Sequence, residues 1–209
     1  MNTFTTAVIA VTAIASMSSA QVWPNIPGPM RHVMIGLDSA TGELTAHIDP
    51  GAPAEMQQYP GQVYSGAASV LNDTYYNSQY GWLNDGFVDP GAGNAIWIEA
   101  ISVSSGLNVY EGGMRPMAAM HSYAPIQGTA GSSAAWIWGG TMTHNWYAAD
   151  SLGNYEATYN IYVGDAATGA PVSGFTTAQV TLAFTAVPSP ATSATLGALG
   201  LVAARRRRT

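Results

Sequence analysis

The chain has 209 residues, 47% of them hydrophobic and only 9% charged, and its six Lys/Arg cations, all arginine, face twelve carboxylates for a net charge of −6. So few cations cannot neutralise a run of phosphates, which excludes a nucleic-acid partner. A charged share far below the usual ~25% argues against a cytosolic helical protein, and the lack of cysteine removes disulfides and thiolate metal sites.

Met1 to Ala20 carry no charged side chain. Val8 to Ala15 are mostly apolar, and Ser18 and Ala20 supply small side chains at the −3 and −1 positions of a signal-peptidase site before Gln21. Residues 1–20 are therefore expected to be a signal peptide, read by the Sec translocon and removed by signal peptidase. Residues 21–186 follow as one domain, long enough to bury ~70% of its unfolded surface.

Within that domain, period-2 alternation predominates and no long amphipathic helix appears. Val33, Ile35 and Leu37 alternate with polar or small neighbours, as do Leu44, Ala46 and Ile48 after the Ala40-Thr41-Gly42 turn. If both apolar rows face the core, Leu37 lies opposite Leu44, Ile35 opposite Ala46 and Val33 opposite Ile48. The other face then carries His32, Met34, His47 and Asp49, with His32 opposite Asp49 and ~7–8 Å diagonally from His47. Further strands are predicted over Gln62–Tyr64, Ala95–Ile101, Leu107–Tyr110, Ala134–Trp138, Tyr155–Val163 and Gln179–Thr185. Thr74 to Asp85 and Met114 to Ile126 lack alternation and read as loops. Short strands separated by Gly-rich turns predict an all-β fold, an antiparallel β-sandwich of immunoglobulin-like or jelly-roll-like kind.

Two chemistries are open to such a domain. His32, His47 and Asp49, joined by His144 in Met142-Thr143-His144-Asn145-Trp146, are candidate ligands for a divalent metal such as zinc, which takes three or four ligands of this type. Tyr75, Tyr76, Tyr80 and Trp82 cluster in the first unpatterned stretch, and exposed rings there would stack on sugar faces of a matrix polysaccharide. Trp136 and Trp138 share one strand face. His121 fits no pattern. There is no GxSxG elbow, no Walker loop and no lysine, so no enzymatic activity is expected.

The C-terminus reads Val187-Pro188-Ser189-Pro190, then an uncharged stretch from Ala191 to Ala204, then Arg205, Arg206, Arg207 and Arg208. As a helix, that stretch reaches ~21 Å, short of the ~30 Å hydrocarbon core, so it suits a transient stop-transfer element. This order of Pro-rich tetrapeptide, short apolar helix and Arg cluster resembles the PEP-CTERM class of bacterial sorting signals, with Ser189 where that class usually has Glu. The resemblance implies that residues 187–209 are processed by an exosortase-type membrane enzyme, leaving the domain at the cell surface or in the extracellular matrix.

The domain itself resembles the choice-of-anchor M family of bacterial surface proteins. Arg31-His32-Val33-Met34-Ile35-Gly36-Leu37, Gly42 to Ile48, Gly86 to Ile98, His144-Asn145-Trp146-Tyr147 and Leu152 to Tyr159 carry the likeness, with Met34 in place of a frequent acid and Leu152 in place of a Pro. It implies a secreted surface protein and marks His32, His47 and His144 as metal ligands. The expected function is thus a non-enzymatic, envelope or matrix β-sandwich that binds a divalent metal through its histidines. A carbohydrate-binding module and a purely structural matrix protein are the alternatives. Without the two terminal signals, two arginines stand against twelve acids, a net charge of −10 that favours cationic ligands.

Overall fold

Asp38 shows how the first hairpin closes: its carboxylate accepts hydrogen bonds from the backbone N–H groups of Ala40 and Thr41 at 2.9 and 3.4 Å, the local bonding that makes Asp a turn residue. Gly42 then turns at φ +71°. The computed structural model describes residues 21–24 and 28–189. The signal peptide, Pro190, the apolar tail segment and Arg205–Arg208 lie outside the described residues.

Eleven strands follow in order: β1 (Arg31–Asp38), β2 (Glu43–Ile48), β3 (Ala54–Gln57), β4 (Tyr75–Asn77), β5 (Tyr80–Asn84), β6 (Asn94–Val103), β7 (Leu107–Gly113), β8 (Ala135–Trp138), β9 (Thr143–Ala149), β10 (Gly153–Asp165) and β11 (Ala178–Val187). The expected all-β class holds. The strands form one continuous sheet in the order β2-β1-β5-β9-β4-β3-β11-β10-β6-β8, with β7 on the other edge of β9. It is mixed rather than wholly antiparallel, because β1 pairs with β5 and β3 with β11 in parallel. Among the described residues, no helix is long and apolar enough to cross a membrane.

The sheet folds back on itself like a sandwich. Tyr80 of β5 and Tyr147 of β9 pack on Phe184 of β11, with ring centroids 5.3 and 4.6 Å apart. Trp82 of β5 meets Tyr159 of β10 edge-on at 5.6 Å. The first hairpin has the expected register throughout: Leu37 opposite Leu44, Ile35 opposite Ala46, Val33 opposite Ile48.

One expectation fails for a physical reason. Thr74 to Asp85 is not a surface loop but contains β4 and β5, and Tyr76, Tyr80 and Trp82 are buried in the core. β9 also lacked alternation, because it is buried on both faces. Tyr147 and Ala149 belong to the main core, whereas Trp146 and Ala148 lie under a second cluster with Tyr64, Leu71, Tyr76 and Tyr123. Period-2 patterning records one wet face; these strands have none. Gln62–Tyr64, by contrast, forms no strand: the Tyr64 N–H donates to Asn72 Oδ1 at 2.8 Å instead of to a neighbouring strand. At the C-terminus β11 runs through Val187, opposite Gln57, so the last strand takes in the first residue of the Val-Pro-Ser-Pro motif.

Candidate metal centre

Four of the residues singled out by sequence lie on the outer face of one half of the sheet. Asp49 stands opposite His32, its N–H bonded to the His32 carbonyl at 2.9 Å. The parallel pairing of β1 and β5 sets His32 beside Gly81, and the antiparallel pairing of β5 and β9 sets Gly81 beside His144. Residues aligned across strands share a face, so Asp49, His32, Gly81 and His144 form one row. His47 belongs to the next row, opposite Met34. It stays apart: its Nδ1 lies 4.0 Å from the Asp85 carboxylate and its side chain is 59% exposed.

Each of the two central imidazoles is oriented by a hydrogen bond at its Nδ1. Nδ1 of His32 lies 2.9 Å from Asp49 Oδ2, which also accepts the His32 backbone N–H at 2.8 Å. That backbone bond, first among the causes, holds the Asp49 carboxyl below its ordinary pKa. An ionised carboxylate only accepts, so His32 Nδ1 carries a proton and donates it to Asp49. His144 is fully buried, and its Nδ1 lies 2.9 Å from the Ser78 carbonyl. A carbonyl also only accepts, so His144 Nδ1–H donates and its Nε2 is bare. That Nε2 is buried and has no hydrogen-bond partner.

Glycine supplies the space. A Cβ at Gly81 would fall 2.6 Å from both Cε1 and Nε2 of His144, so this ring edge rests directly on the glycine. His32 stands on the other side of Gly81 in the same row, with its Nδ1 turned to Asp49. Holding the far nitrogen of a histidine with a carboxylate or a carbonyl is how proteins orient metal-binding imidazoles.

Burial first, with small contributions from Arg115, His32 and His121, pushes the His144 pKa down to about 4. Protonation is thus resisted in the folded state and accepted in the unfolded one. The stabilisation is whole above pH 6.5 and falls away as the pH drops towards 4, by ~3 kcal/mol in total. Burial pushes His121 in the same direction. Urea midpoints measured from pH 7.5 to 4.5 should decline through this window, and His144→Gln should flatten the slope; a wild-type midpoint constant with pH would contradict it.

His121 has a structural role. Its Nε2–H donates to the Met114 carbonyl at 3.0 Å, and its Nδ1 accepts the Trp146 indole N–H at 2.9 Å. Among the described residues, no three His, Cys, Asp or Glu side chains come together as a metal-binding group. His32 and His144 pair across Gly81; His47 and Asp49 do not complete a three- or four-ligand zinc set around them. Sequence reasoning missed Gly81 and Ser78, because their roles arise from strand pairing that no local pattern records.

The aromatic set is corrected more sharply. Tyr76, Tyr80 and Trp82 are buried and Tyr75 is half-buried, so they form no exposed platform for sugar. Trp136 and Trp138 are likewise buried, in the main core, and back a cleft of about 700 Å³ between β7 and β8 that Met114, Ile137 and Glu111 also line. There Trp136 Nε1–H donates to Glu111 Oε1 at 3.1 Å, and Ser122 Oγ donates to Glu111 Oε2 at 2.6 Å.

No family model, no curated protein and no solved structure matches this chain.

Proposed function

We propose that the protein is a non-enzymatic extracellular surface domain that captures a transition-metal ion between His32 and His144. The buried, unpartnered Nε2 of His144 carries this reading. An orphaned buried nitrogen costs ~1–3 kcal/mol unless something else satisfies it, and His32 stands in the same row on the far side of Gly81. The net charge of −10 on the domain draws cations towards it. The apolar N-terminus and the Pro-rich, apolar, Arg-ended C-terminus support export and delivery to the envelope or matrix.

The test is calorimetric titration of the purified protein with zinc and, separately, with copper. At least one should bind with one-to-one stoichiometry and lose at least 100-fold in affinity in His32→Ala. No binding of either metal, or binding indifferent to His32→Ala, refutes the reading.

A further inference from the structure

We propose that Val187-Pro188-Ser189 is part of the folded domain, and that the apolar, Arg-ended tail is removed only at a bond beyond Ser189. This rests on the delivery part of the reading above and is independent of its metal site. From Ala191 to Arg208 the tail has the composition of a stop-transfer element, an uncharged stretch closed by four arginines. The tetrapeptide before it, with two prolines and a small polar residue, has the composition of an exposed, cleavable hinge.

The structure gives most of that tetrapeptide a different role. β11 is an interior strand, with β10 on one edge and β3 on the other, and it runs through Val187. Ala186 lies opposite Gly153 of β10 and Met56 of β3, and Val187 lies opposite Gln57. Ala186 is buried and Val187 half-buried. Past the last paired residue the chain does not leave the protein at once. Pro188 is exposed, but Ser189 is only 4% exposed. A linker between domain and tail would instead run through solvent.

This burial decides where the chain can be cut. A peptidase holds its substrate as an extended segment and bonds to its backbone, much as an added strand does. The end of β11 already spends its backbone on the sheet. It must open before an enzyme can take it, and interior strands open rarely in the folded state. The reaction therefore falls after Ser189. Water adds to a backbone carbonyl carbon there, the C–N bond breaks, and the tail leaves with the proton on its new amino group. The new carboxylate stays with the domain, and Val187 and Ser189 keep their places.

The experiment digests the purified chain from Gln21 to Thr209, held in mild detergent, with proteinase K. Products are read by intact mass. Early products should all end at Ser189 or later, and bonds between Ala186 and Ser189 should be cut ~100-fold more slowly than in urea-unfolded protein. An early product ending at Ala186, Val187 or Pro188 would overturn the inference. Two shortened chains decide it even where detergent shields the tail. Residues 21–189 should melt with the full chain. Residues 21–186 should melt ~4 °C or more lower, through loss of the Val187 pairing and the buried Ser189. Equal melting of the two shortened chains would overturn the inference as well. Neither result touches the zinc and copper titrations, so failure here leaves the metal reading standing, and failure there leaves this one.

Discussion

Trp82→Ala should lower the free energy of unfolding by ~3–5 kcal/mol, the cost of removing a large aromatic from a packed core. Trp82 is completely buried and stands edge-on to Tyr159 across the two layers. Domains of this class are stable by only ~5–15 kcal/mol, so the variant should lose roughly a fifth or more of that margin. Chemical denaturation followed by far-ultraviolet circular dichroism measures it. This outcome separates the observed fold from the loop expected at Thr74–Asp85. An exposed sugar-stacking tryptophan could be truncated with almost no change in stability. A loss below ~1 kcal/mol would show that the ring is not where the core places it.

Gly112→Ala should be the most damaging single methyl group in the sheet. A Cβ there would lie 1.7 Å from the His144 carbonyl oxygen and 2.7 Å from its carbon. Those are backbone atoms of the neighbouring strand, so no side-chain rotation relieves the clash. β7 must move away from β9, which also strains the Gly112 N–H bond to Asn145 Oδ1, now 3.1 Å. Overpacking of this kind costs ~3 kcal/mol or more. Gly139→Ala is the control, because a Cβ at Gly139 meets nothing within 4 Å. Thermal melting should separate the two variants clearly, and Gly112→Ala should displace His144 as well. Equal melting temperatures would refute the close approach of the two strands.

Both predictions fall where the sequence was hardest to read. The β1–β2 hairpin was legible because one face is dry, the other wet, and the connection short. That combination leaves a single register, and Asp49 lands opposite His32 as the register demands. β5 and β9 were illegible because Trp82 and Leu83, or Trp146 and Tyr147, place large apolar residues on both faces in succession. The parallel partnership of β1 with β5 joins residues nearly fifty positions apart, and nothing local encodes it. Hence His32 and His144 could be picked out by residue type, while the glycine between them and the carbonyl behind one of them could not. The Trp136/Trp138 pair was visible as a shared face, but its cleft depends on where β7 ends.

The position of β11 sets the timing of assembly. The final strand of the domain lies between β3 and β10, and its end, Phe184 to Val187, pairs with Ala54 to Gln57. A growing chain therefore presents two unsatisfied sheet edges until its last ten strand residues emerge. Closure is necessarily a late, long-range event, of the sort that takes milliseconds to seconds rather than microseconds. A chain cut before Ala178 would lack not a dispensable edge but the seam itself. It would be left with open strands that invite aggregation.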